Sequence, residues 1–112
     1  MGAEENKLKR QVTELCGRLF IPATRHQSGQ LRVGARTIYM GDAGWPDIIG
    51  VLPDGRFLGI ETKTPAGKVE PAQIERLAEL NDSNAVLILS DSFDEIEREL
   101  NALVVGTRAA QA

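Results

Sequence analysis

Cysteine is nearly absent from this chain. Cys16 stands alone, which excludes an internal disulfide framework and any multi-cysteine zinc site. Histidine is as scarce, with His26 the single example, so a His/Cys zinc centre lacks its ligands. Aromatic residues make up only 4%, which leaves the core to aliphatic side chains. The longest uncharged apolar run, at 85–89, falls far short of the roughly 20 residues that span a bilayer. The charged opening segment has no apolar stretch of the secretory kind. These absences point to a reduced, cytoplasmic protein with no membrane partner. What remains is ordinary for a globular protein: 112 residues, 42% hydrophobic and 26% charged, enough for one domain. Its core is expected over about 4–103, with 107–112 frayed.

The net charge of −3 is unevenly spread. Residues 1–40 hold seven Lys/Arg against three acids, and residues 41–112 hold six against thirteen. A local basic field can meet a polyanion even when the total is negative. The same asymmetry is equally compatible with one basic and one acidic solvated helix.

Periodicity gives the layout. Leu8, Val12, Leu15, Cys16 and Leu19 form one apolar stripe, predicting a helix over 4–19 that Pro22 ends. Segment 24–39 reads as two short strands or one bent strand, and 41–44 as a loop. Residues 47–52 and 56–63 read as strands joined by a turn at Pro53-Asp54-Gly55. After a loop at 64–70, Pro71 opens a helix to Asn81, with Ile74, Leu77, Ala78 and Asn81 on one face. A buried strand follows at 85–90. Asp91 or Ser92 then caps a helix to about Ala102, with Phe93, Ile96, Leu100 and Leu103 inward. Cys16 belongs to the apolar stripe. Trp45 is expected to pack, and His26 to be a surface histidine or at most a substrate contact.

The hairpin carries the chemistry. A three-residue Pro-Asp-Gly loop with a glycine bulge pairs Leu52 with Arg56. Counting back along the ladder sets Ile48 opposite Ile60 and Asp47 opposite Glu61. Opposed residues in an antiparallel pair point to the same side, so two carboxylates meet. Lys63 lies two residues further on that side. A two-residue loop would shift the register by one and separate the acids. Like charges opposed among apolar neighbours are costly, and a divalent cation with hard oxygen ligands would relieve the cost. A surface ion pair between Glu61 and Lys63 is the simpler alternative for that pair alone.

Trp45-Pro46-Asp47 followed by Glu61-Thr62-Lys63 resembles the PD-(D/E)xK nuclease signature. Gly44-Trp-Pro-Asp-Ile-Ile-Gly, Asp54-Gly-Arg-Phe-Leu-Gly-Ile-Glu-Thr-Lys, Thr64-Pro-Ala-Gly-Lys and Pro71-Ala-Gln73 are similar to the VRR-NUC (virus-type replication-repair nuclease) family within it. An acidic first helix and Arg25–Gly29 extend the likeness to about 4–90. The resemblance implies an α/β restriction-endonuclease-like core, a small mixed sheet flanked by helices in the order α-β-β-β-α-β-α. It implies Asp47 and Glu61 as metal ligands, the Thr62 backbone carbonyl as a further ligand, Lys63 as catalytic lysine and Gln73 as a supporting glutamine. A helix-1 glutamate completes the family set, with Glu5 matching best and Glu4 a close rival.

The implied activity is that of a Mg²⁺-dependent DNA endonuclease, with Mn²⁺ substituting. Stand-alone family members resemble phage-type resolvases that act as homodimers on branched DNA such as Holliday junctions. Arg25, Arg32, Arg36 and Lys68 flank the proposed site in sequence and suit phosphate contacts, with Ser28-Gly29 letting backbone approach a phosphate. Solvated loop charges are as good a reading of any single one. A catalytically idle DNA-binding module of the same fold is the alternative function.

Overall fold

The computed structural model describes residues 3–26, 29–40, 44–62 and 70–111. In chain order its elements are α1 (Ala3–Arg18), β1 (Ala23–Arg25), β2 (Gly29–Val33), β3 (Arg36–Met40), β4 (Ile48–Val51), β5 (Phe57–Glu61), α2 (Pro71–Asp82), β6 (Val86–Leu89) and α3 (Phe93–Gln111). Strands β1, β4, β5 and β6 form one mixed sheet in that spatial order, and β2 pairs with β3 in a separate ribbon. Segment 24–39 thus holds three strands, because the ribbon pairs with itself and leaves β1 to pair with β4. The loops expected at 41–44 and 64–70 lie largely outside the described residues.

Helix α1 ends earlier than its proline. Phe20 takes a left-handed conformation (φ 59°), and the Ile21 N–H returns to the Cys16 carbonyl at 2.8 Å. This satisfies a carbonyl of the last turn and folds Ile21 back into the core. Val12, Leu15 and Cys16 on α1 pack with Ile48, Leu58, Ile60 and Ile88 on the sheet and with Ile96, Leu100 and Val104 on α3. Burial pushes the Cys16 thiol up to about 11, so it behaves as a core group without thiolate reactivity.

The hairpin register is the expected one. Ile48 faces Ile60, Ile49 faces Gly59, Gly50 faces Leu58 and Val51 faces Phe57. Gly55 sits at φ 90° in the turn, and the Leu52 N–H meets the Arg56 carbonyl at 2.9 Å. β6 runs parallel to β5 and brings Leu89 beside Glu61.

Two helices differ from expectation. Helix α3 runs on to Gln111 rather than ending near Ala102. Val104 and Thr107 extend the buried stripe of Ile96 and Leu100, and this burial carries the helix through Gly106. Its cap is Ser92, whose Oγ accepts from the Glu95 N–H at 3.3 Å. Helix α2 is rotated about its axis: Leu80 is buried, whereas Ile74 is 59% exposed and Ala78 and Asn81 face outward. The inward position is taken by Gln73, for a reason found in the site.

Candidate active site

The site begins where the β4–β5 ladder stops. Pro46 packs across Gly59, where an added Cβ would stand 2.7 Å from the proline ring, so only glycine admits this approach. Gly44, at φ 95°, lies against the first turn of α2, and a Cβ there would come 2.3 Å from the Ala72 carbonyl oxygen. These two close approaches seat the Trp45-Pro46-Asp47 turn against both β5 and α2.

Asp47 and Glu61 consequently converge, and their carboxyl groups lie within hydrogen-bonding reach of each other. Thr62 donates twice to Asp47 Oδ2, from its backbone N–H at 3.1 Å and its hydroxyl at 2.7 Å. Glu61 is only 3% exposed and Thr62 is equally buried. Burial pushes the Asp47 carboxyl up and is the largest single influence. The contact with Glu61, the two Thr62 hydrogen bonds and the positive charge of Lys9 together outweigh it and hold Asp47 below the ordinary carboxylate range.

Gln73 explains the rotation of α2. Its Oε1 accepts from the Glu70 N–H at 3.2 Å, and its Nε2 donates to Glu61 Oε2 at 2.8 Å. The backbone N–H can only donate, which fixes which end of the amide faces Glu61. One side chain thus caps the helix and holds a carboxylate, and turning Gln73 inward turns Ile74 out.

Helix α1 contributes from the other side. Lys9 Nζ lies 3.7 Å from Glu5 Oε1 and 3.8 Å from Asp47 Oδ1. Arg25 donates to Asn6 Oδ1 at 3.2 Å, tying the end of β1 to α1. The next N–H, that of His26, meets the Asp47 carbonyl at 2.8 Å. Glu4 is exposed on the first turn of α1. Arg36 is exposed at the start of β3, and Arg32 contributes backbone to β2. Ser28, Lys63 and Lys68 lie outside the described residues.

His26 is not an ordinary surface histidine. It is half-buried and meets Trp45 edge-on, with ring centroids 6.4 Å apart. Phe57 meets the same indole at 6.0 Å, and the Arg76 guanidinium lies over it at 4.7 Å. Trp45 packs, as expected, two residues from Asp47. Sequence reasoning missed Arg76 and Lys9. Their signals were spacings: Arg76 stands one turn after Gln73, and Lys9 one turn after Glu5, a pattern that reads first as a surface pair.

The donor set suits a hard divalent cation. A buried and a half-buried carboxyl group converge, and Mg²⁺ is commonly held by one or two carboxylates with several waters retained. Among the described residues no group of three or more His, Cys, Asp or Glu forms a fuller metal shell.

The chain matches the family model described as VRR-NUC domain over residues 10–92, well over half its length. The chain belongs to the VRR-NUC family. A solved structure titled as a VRR-NUC domain is similar in fold, with a TM-score of 0.63 at 19% identity, covering 89% of this chain and 97% of that one. No curated protein matches the chain. VRR-NUC membership makes this a nuclease domain of the PD-(D/E)xK type, a class that is typically dependent on divalent metal and acts on DNA. The α/β fold expected for the family is present, a four-stranded mixed sheet flanked by helices. Among the described residues no helix is long and apolar enough to cross a membrane.

Proposed function

We propose that this VRR-NUC domain is a Mg²⁺-dependent DNA endonuclease, with Mn²⁺ able to substitute, that hydrolyses phosphodiester bonds in branched DNA such as Holliday junctions. The observation that carries the reading is the convergence of Asp47 and Glu61 in a buried setting, with Gln73 aiming one of the two. Folding alone gains nothing from opposed carboxylates.

Asp47 and Glu61 would hold the metal, with the Thr62 backbone carbonyl and Glu5 as further ligands. When bound, the ion supplies Lewis acidity and lowers the pKa of a coordinated water. Lys63 would orient the attacking water and offset charge developing on the phosphate oxygens. Gln73 fixes the Glu61 carboxylate so that its remaining oxygen is aimed before substrate arrives. Arg25, Arg32, Arg36 and Lys68 contact phosphates, and the Ser28-Gly29 backbone approaches one, giving affinity that falls with salt. Two symmetric cuts in a junction require two sites, which a twofold homodimer supplies. The cytoplasm of a bacterial or phage-infected cell provides such a substrate.

A labelled four-way junction incubated with Mg²⁺ or with EDTA tests this. The reading expects cleavage only with metal, lost in Lys63→Ala. A gel shift without cleavage would make the domain an idle DNA-binding module instead. In the absence of DNA, saturating Mg²⁺ should raise the melting temperature, because ligand binding to the native state alone adds about 2.7 kcal/mol at a hundredfold excess over Kd.

A further inference from the structure

The two oxygens of Asp47 are not equivalent. Oδ2 already accepts two hydrogen bonds from Thr62, at 3.1 and 2.7 Å, which occupies both of its lone pairs. A divalent cation therefore has to approach through Oδ1. That oxygen faces the Lys9 ammonium at 3.8 Å. The same ammonium lies 3.7 Å from Glu5 Oε1, one turn earlier on α1. Both distances exceed the roughly 2.7–2.9 Å of a charge-assisted hydrogen bond, so Lys9 is held between two carboxylates by charge alone, on a flexible four-carbon stem. By contrast, Arg56 grips Asp54 at 2.7 Å.

We propose that Lys9 is a positioning residue that serves as the resident counter-ion of the carboxylate pair and competes with the divalent metal for Asp47 Oδ1. In the metal-free protein Lys9 offsets the charge that Asp47 and Glu61 concentrate at the end of the hairpin, and so keeps the site assembled. When a metal ion takes Oδ1, the ammonium is repelled from that oxygen and turns away on its flexible stem. Lys9 thereby sets metal affinity: the site stays formed at low metal and releases the ion more readily than two unpaired carboxylates would. This inference rests on Asp47 and Glu61 being metal ligands.

Titration calorimetry with Mn²⁺ on the whole chain without DNA tests it, alongside melting curves in EDTA. Lys9→Met keeps the stem and removes the charge. It should bind Mn²⁺ about tenfold more tightly, because a competing unit charge a few ångströms from the metal is gone. Its melting temperature in EDTA should fall, and excess Mn²⁺ should restore it. Lys9→Arg keeps the charge and should bind Mn²⁺ with the wild-type affinity. Wild-type protein that binds Mn²⁺ while Lys9→Met binds it equally or more weakly would overturn the role of Lys9 and leave the metal site standing. Wild-type protein that binds no Mn²⁺ would remove the metal site itself, and the role of Lys9 with it.

Discussion

The two ends of the β4–β5 hairpin each carry an aspartate, and they are answered in opposite ways. At the turn, Asp54 accepts from the Arg56 backbone N–H at 3.0 Å and pairs with its guanidinium at 2.7 Å. The charges are opposite, the pair is open to solvent, and the contact spans two residues. At the open end, Asp47 meets Glu61, a second acid fourteen positions along the chain, in a setting that excludes most water. The turn end is what folding favours by itself: it fixes the register and costs nothing. The open end crowds two acids together and is held by Thr62 beside them and by two other segments, through Gln73 on α2 and Lys9 on α1. So many partners gathered around two acids support the proposal that the chemistry is there.

The largest expected effect comes from removing the charge at the open end. Asp47→Asn should lower cleavage about a thousandfold while the protein stays folded, a loss of the size seen when a group stabilising transition-state charge is deleted. Single-turnover rates on a junction substrate would measure it, and a tenfold loss or less would place Asp47 outside the chemistry. Next is Gly44→Ala, away from any charge. The positive φ and the clash with the Ala72 carbonyl should cost about 2–3 kcal/mol and displace α2 with Gln73. Denaturant unfolding reports the stability, and an unchanged midpoint would mean that the turn and α2 do not depend on this contact.

Glu61→Gln sharpens the contrast further. In EDTA it should stabilise the protein by about 1 kcal/mol, because an amide can donate to Asp47 and still accept from Gln73 without a second charge. The same variant should cleave poorly. A melting temperature below wild type in EDTA would show that the opposed carboxylates are not in conflict. The smallest effect is Asp54→Asn at the turn. The backbone hydrogen bond from Arg56, then its side chain, holds the Asp54 carboxyl below the ordinary range. A depressed carboxylate adds stability above its unfolded-state pKa and loses it as pH falls through the folded value. The variant should therefore melt slightly lower than wild type near neutral pH, with the gap closing in acid and cleavage unchanged.

How far the site was legible follows from sequence distance. Ladder register, hairpin loop and the meeting of Asp47 with Glu61 could be counted from the turn residues, since strand pairing has a period of two and a fixed origin at Gly55. The inward face of α2 could not be read this way. Hydrophobicity favoured Ile74, but a polar bond to Glu61 turned Gln73 inward and left Ile74 in solvent. His26 looked like a lone surface residue because its partner Trp45 lies nineteen positions away, and they meet only once β1 pairs with β4.

By itself the amino-acid sequence determined what local rules can carry: the hairpin and its facing acids, the apolar stripes of α1 and α3, a cap at Asp91 or Ser92, and the motif of the VRR-NUC family. Only the tertiary structure decided that Lys9 stands at Asp47, that Gln73 spans α2 and Glu61, and that Trp45 gathers His26, Phe57 and Arg76. Periodicity reports which face of an element is apolar. Which polar side chains meet across elements depends on how those elements are rotated against one another, and that is set by the packing of the whole molecule.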